Sequence, residues 1–328
     1  MYTRRALCKK IAFLCGGLLA ACVPTPPVPP VTPTPAPATP AGQPTPPRVD
    51  PQILLTGLDF PEGPAFDPQG RLWCTELLGG NLVRYENGRA YRYPIGGESG
   101  GRGNGLAFDH QGRAWVTDSG RNVIQRFDPN AEKWEVILAS IDGAPLQSPN
   151  DLCFDAQGNL LFTCPNFAST EPTGYVVCLR PDGSARKIAE GFYRPNGLDL
   201  VEGGASLVVA DTYRKTLFKG AWDASALVWQ DPQPWAEVGG AEGPDGMAPG
   251  ADGFLYQAIY GDGVIRVINP RGKVQREIRV PGANPTNVAI DPSGKLGIVV
   301  TETEKGQLIS FPAEAPGSAI FDGGGAWK

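Results

Sequence analysis

RPNGLDLVEGGASLVVAD, residues 194–211, sets an Asn between Pro195 and Gly197, ahead of two apolar runs separated by glycines. Alone, that Asn suits a tight turn, because Pro, Asn and Gly are the commonest turn formers. The same plan recurs five more times along the chain. The other copies are FPEGPAFDPQGRLWCTE (60–76), GRGNGLAFDHQGRAWVTD (101–118), SPNDLCFDAQGNLLFTC (148–164), GPDGMAPGADGFLYQAI (243–259) and NPTNVAIDPSGKLGIVVTE (284–302). Each begins with a polar residue, follows it with a short alternating run, turns on Gly, and runs out as a second strand. The Asp-x-x-Gly turn is clear at residues 67–70, 109–112, 155–158 and 291–294, and altered in the fourth and fifth copies.

The leading polar residues are Glu62, Asn104, Asn150, Asn196, Asp245 and Asn287, spaced 42 to 49 residues apart. That period fits a four-stranded propeller blade. Third strands follow in NLVRYENG (81–88), NVIQRFDP (122–129), YVVCLRPDG (175–183) and GVIRVINPRG (263–272), and fourth strands in WEVILA (134–139) and VQREIRV (274–280). Short strands with turn signals every eight to twelve residues, and no convincing amphipathic helix, indicate an all-β fold. Six such units predict a six-bladed β-propeller over residues 51–328, because radial repetition protects strand edges that a sandwich leaves open.

The first 50 residues stand apart from this pattern. Residues 1–22 place Arg4, Arg5, Lys9 and Lys10 before the apolar stretch Ile11 to Ala21, which is too short for an ordinary membrane-spanning helix. The stretch ends in Leu19-Ala20-Ala21-Cys22, which resembles a bacterial lipobox, with Cys22 the lipidated residue. TRRALCK (3–9) also resembles a twin-arginine export signal. Residues 23–50 are so rich in Pro that no core can form, and polyproline II would make them a stalk of up to roughly 80 Å. The expectation is an exported lipoprotein, periplasmic or at the cell surface, touching the membrane only through its lipid.

A net charge of −5 and the absence of a basic cluster in the body of the chain exclude a nucleic-acid partner. Of seven cysteines, Cys74, Cys153, Cys164 and Cys178 fall in the blades. Export permits disulfides, and Cys153 and Cys164 could face each other across one hairpin. With a single His, His110, a Cys/His zinc site and a nucleophilic triad both lack their parts.

In a propeller the inner strands line a central channel, so the six leading residues meet around one axis. They offer two carboxylates, from Glu62 and Asp245, and amide oxygens from Asn104, Asn150, Asn196 and Asn287. Hard oxygen donors without His or Cys favour calcium or magnesium over zinc, and two carboxylates balance a divalent charge.

PEGP, SPNDL, RPNGL and GPDGM resemble, in order and spacing, the motifs of the regucalcin/gluconolactonase-like propellers. The resemblance covers most of residues 55–311 and is nearest to the gluconolactonase branch, in which the copy at Asn104 faces substrate more than metal. It implies a divalent cation, most often Ca2+, held by Glu62, Asn150, Asn196 and Asp245. It also implies hydrolysis of a cyclic ester, with Asp245 as the base that takes a proton from water, and with Asn104 and Arg102 orienting the substrate. Three positions depart from the family pattern: Ser148 stands where an Arg is expected, Cys164 where an Asp is expected, and Asp118-Ser119 where a His is frequent. The ligand set is thus kept while substrate-facing positions differ. The expected partner is a small lactone or related ester acted on by a monomer. Organophosphate hydrolysis at the same ion, or a non-enzymatic surface propeller that binds a ligand or protein, are the alternatives. Glu76, Asp118, Asp211 and Glu302, which end the second strands, are expected to accept backbone N–H groups in turns.

Overall fold

Asp67, Asp109, Asp155 and Asp291 each fold a carboxylate back over the turn they open. Asp67 Oδ1 accepts the N–H groups of Gln69 and Arg71 at 3.0 and 2.9 Å, and its Oδ2 accepts Trp73 Nε1 at 2.9 Å. Asp109 repeats the pattern with Gln111, Arg113 and Trp115. The side chain thereby satisfies the backbone donors of the turn and ties it to a buried indole, which fixes the hairpin between first and second strands.

The computed structural model describes residues 50–97, 101–167 and 169–327. Cys22, the export signal and all but the last residue of the Pro-rich stalk lie outside the described residues. Among the described residues, six four-stranded antiparallel sheets follow one another along the chain. Their inner strands are Pro61–Phe66, Gly103–Phe108, Leu152–Phe154, Pro195–Val201, Gly243–Pro249 and Pro285–Ile290. Each packs against the inner strands on both sides, and the sixth returns to the first, so the ring is closed. The chain is a six-bladed β-propeller, as the repeat predicts.

The core is divided between the blade interfaces. Trp73, Leu82, Phe108 and Phe127 fill the gap between the first two blades, and Trp115, Phe154 and Phe162 the next. Further buried clusters occupy the remaining interfaces around the ring. Second strands such as Ala114–Asp118 and Leu160–Cys164 are buried on both faces. This is why they read as continuous apolar runs rather than clean alternations.

Two features depart from the sequence expectations. The sixth blade takes its outer strand from the far end of the domain: Gln52–Leu55 pairs antiparallel with Gln307–Phe311, Gln52 opposite Ser310 and Ile53 opposite Ile309. The hydrophobic run QILL carries no mark of this partner. The cysteines do not meet across the hairpin, because the register sets Cys153 opposite Leu161 and Cys164 opposite Tyr175. All four blade cysteines are free thiols.

The C-terminal segment crosses the end of the propeller away from the leading residues. Ser318 N–H donates to Pro249 O at 3.1 Å, His110 N–H to Asp322 O at 2.7 Å, and Trp327 Nε1 to Gly158 O at 2.7 Å. His110 is exposed, and its Nδ1 lies 3.0 Å from Asp322 Oδ2, so the only His is a strap contact.

Candidate metal and active site

The six leading residues are not in turns. Asn196 lies inside the strand Pro195–Val201, and the pairing with the second strand shifts register between Pro195 and Leu198. Equivalent irregularities interrupt the inner strands at Glu62–Ala65, Gly103–Leu106, Pro244–Met247 and Pro285–Asn287. A bulge gives the strand one unpaired residue and re-aims its side chain. The leading slot is therefore a bulge signal in five of the six blades, while Asn150 stands just ahead of the short strand Leu152–Phe154, and the turn reading is corrected.

The glycine that follows has its own reason. A Cβ on Gly197 would sit 2.5 Å from Asp245 O and 2.7 Å from Gly246 Cα, on the next blade. Only a residue without a side chain lets neighbouring inner strands come this close.

Threonines complete the collar. Thr75 Oγ1 donates to Asn104 O at 2.6 Å, Thr163 Oγ1 to Asn196 O at 2.7 Å, Thr212 Oγ1 to Pro244 O at 2.8 Å and Thr286 Oγ1 to Pro61 O at 2.8 Å. Thr117 Oγ1 donates to Asn150 O. Each bond runs from one blade to the backbone of a site residue, or of the one before it, on the next. Sequence reasoning passed over these residues, although Thr75, Thr117 and Thr212 each stand beside a second-strand carboxylate, in CTE, VTD and ADT.

Those carboxylates grip the loops that enter the site. Asp118 Oδ1 accepts Arg102 N–H at 2.9 Å and Gly120 N–H at 3.0 Å, while Glu302 Oε1 accepts Asn284 N–H at 3.0 Å. Asp211 receives the N–H groups of Tyr193 and Arg194 at 3.1 and 3.3 Å. Glu76 takes Asp59 N–H at 3.2 Å and a fork from Arg92. Their role is to hold backbone, as expected.

On the axis, Glu62, Asn104, Asn150, Asn196, Asp245 and Asn287 are all buried. Burial drives the Glu62 carboxyl well above the usual carboxylate range, and repulsion from Asp245 and Asp151 pushes it further. Asp245 is raised by burial and then by Asp151, against the opposing pull of a hydrogen bond from Asn196 and the charge of Arg194. Asp151, which the sequence reading passed over, is pushed up to about 7 by burial, despite bonds from Leu152 N–H and from Asn287 Nδ2 at 3.3 Å. Asp199, pushed up to about 7 chiefly by burial, lies one step deeper. Below the ring the channel opens into a cavity lined by Asp151, Leu106, Leu198 and Met247, with Ala319 and Ile320 of the C-terminal strap among its walls.

The residues present fit a hard divalent cation. Asn150 Oδ1 is buried without a hydrogen-bond partner among the described residues. A stranded oxygen of that kind costs about 1–3 kcal/mol unless a ligand occupies it. Glu62 and Asp245 repel each other across the axis, a strain that a positive charge between them relieves. Among the described residues no cluster of three His, Cys, Asp or Glu side chains is arranged for a metal, so the donor set rests on two carboxylates with amide oxygens. Asn287 is outside that set: its Oδ1 accepts Val288 N–H at 2.7 Å and its Nδ2 serves Asp151. Asn104 joins the ring through its carbonyl, which accepts Thr75 Oγ1 from the first blade, while the next residue, Gly105, donates its N–H to Asn150 O on the third; Arg102 is exposed at the mouth and is not drawn into the ring.

This electrostatics has a measurable consequence. Carboxylates with folded-state pKa values above their unfolded ones stabilise the metal-free fold fully below about pH 4, and that stability is lost as pH rises through about 7. A cation reverses the loss, because it needs the ionised forms. The thermal midpoint gained on adding calcium should therefore be near zero at pH 5 and about 5–10 °C at pH 8, at calcium near a hundred times its dissociation constant. Differential scanning fluorimetry across this range checks it, and a gain independent of pH would contradict the ring as the binding site.

Residues 60–324 match the model of the SMP-30/Gluconolactonase/LRE-like region. The chain is 28% identical to diisopropyl-fluorophosphatase of Loligo vulgaris over 203 residues, 57% of this chain and less than two thirds (64%) of that protein. It is 26% identical to gluconolactonase of Zymomonas mobilis over 252 residues, 68% of this chain and 70% of that one. The solved structure of a Xanthomonas campestris gluconolactonase superposes with a TM-score of 0.70 at 26% identity, covering 79% of this chain and 88% of the other. The chain belongs to the SMP-30/gluconolactonase/LRE-like family.

Proposed function

We propose that the protein is a cation-assisted hydrolase of cyclic esters, a lactonase. The observation that carries this reading is the unpartnered Asn150 Oδ1 beside a ring in which Glu62 and Asp245 repel each other. Glu62, Asn150, Asn196 and Asp245 would hold the ion, calcium by the hardness of its donors. When bound, such an ion polarises an ester carbonyl and acidifies water. Asp245, ionised once a cation balances its charge, would take the water's proton as general base. Asn196 orients Asp245 by its hydrogen bond, and Asn104 faces the lactone from the second blade.

Relatives named gluconolactonase support the lactone class. Hydrolysis of a fluorophosphate ester is the second reading, favoured by the Loligo vulgaris relative. A panel of sugar and acyl lactones, plus diisopropyl fluorophosphate, assayed before and after chelation, tests both. Lactone turnover that chelator abolishes and calcium restores is the expected result, and turnover of the phosphofluoridate alone would favour the second. Absence of metal-dependent turnover on every compound would leave a binding propeller. The proposal includes a lipid tether at Cys22, supported by the sequence alone. It expects Cys22→Ala to move the protein from the membrane to the soluble fraction, and retention at the membrane would refute the tether.

A further inference from the structure

Arg194 enters the mouth of the site from the loop ahead of the fourth inner strand, two residues before Asn196. Its backbone is pinned on both sides: the N–H donates to Asp211 Oδ1 at 3.3 Å, and the carbonyl accepts Thr212 N–H at 2.9 Å. The guanidinium lies 4.2 Å from the ring centre of Tyr213 and 4.8 Å from that of Phe167. Those two rings are 43% and 42% exposed, far more than a structural aromatic in this fold.

The neighbouring Arg214 shows what an ordinary arginine does here: its Nη1 holds Asp211 Oδ2 at 2.9 Å, and it covers Tyr193. Arg194 has aromatic neighbours and forms no ion pair among the described residues. Its charge nevertheless reaches Asp245, where it favours the ionised form. A guanidinium stacked on aromatic faces keeps its planar N–H edge free, and that fork matches the two oxygens of a carboxylate. One positive charge beside an acidic ring suits a monoanion better than a phosphate dianion.

We propose that Arg194, held against Phe167 and Tyr213, is a specificity residue that binds an ionised carboxylate on the substrate, outside the ester being cleaved. The substrate class is then an acid lactone, a cyclic ester that also bears a free carboxylate. This rests on the lactonase reading above. A reaction that oxidises the terminal carbon of a sugar or hydroxy acid must precede it, and its product is a dicarboxylic hydroxy acid.

The test compares glucaro-1,4-lactone, which ends in a carboxylate, with glucono-1,4-lactone, which ends in a neutral hydroxymethyl on the same ring. Calcium-loaded parent, Arg194→Met and Arg194→Lys are assayed on both. The parent is expected to favour the charged lactone at least tenfold in kcat/KM. In Arg194→Met the charged lactone should lose at least ten times more than the neutral one, mainly through KM, with Arg194→Lys in between. Equal losses on the two lactones, or no preference in the parent, overturn the proposal. Should no lactone of the panel be hydrolysed, these two included, the lactonase reading fails by itself, and calorimetric titration with glucarate decides the role of Arg194. Tenfold weaker binding by Arg194→Met would uphold carboxylate recognition, while equal or absent binding in the parent and variant would refute it.

Discussion

Asp245→Asn should lower metal-dependent kcat/KM on a cleaved lactone by about 10³-fold, roughly 4 kcal/mol of transition-state stabilisation. The amide keeps the shape and one oxygen for an ion but cannot accept a proton. The same substitution should raise the thermal midpoint of the metal-free protein at pH 8, since it removes a buried charge that repels Glu62 and Asp151. Activity and stability thus move in opposite directions. Steady-state kinetics and a melting curve on one preparation check both, and a variant that loses activity by unfolding would fail the second measurement.

Deleting the chain before Gly57 should have the largest effect on stability. Leu54 and Leu55 are buried against the sixth blade, and Leu58 N–H bonds Gly306 O at 3.1 Å just beyond. Losing the burial of the two leucines costs about 3–6 kcal/mol, and the pairing with Gln307–Phe311 is lost as well. That is a large part of the roughly 5–15 kcal/mol that stabilises an ordinary domain. The truncated protein should melt at least about 10 °C lower, or aggregate through the freed edge. Calorimetry and size-exclusion chromatography measure this, and a truncation that melts like the parent would show that the ring closes without its outer strand.

Both predictions draw on features of different legibility. Asp245 was visible because Pro-Asp-Gly occupies the slot that holds Pro-Asn-Gly in the fourth copy, and the period aligned the two. The closing strand was invisible, because QILL belongs to no repeat and its partner lies more than 250 residues away. The Asn-Gly pair was legible as a recurring slot but not as a bulge. Its glycine answers to a carbonyl on the next blade, and nothing local records that approach. Asp151 was passed over because the residue after the leading position is usually Gly, so a carboxylate there looked incidental. Arg194 was passed over, since its aromatic neighbours come from two other loops.

By itself the sequence determined the number of blades and the six oxygen-bearing residues that lead them. Those follow from periodicity, which survives in one dimension. Only the tertiary structure decided which blade the N-terminal strand completes, which oxygen is left without a partner, and which carboxylates repel. It also showed that the lone histidine braces a strap at the other end. These depend on distances between segments remote in sequence, and on a buried environment whose low polarity makes Glu62 and Asp245, with Asp151 beside them, repel one another.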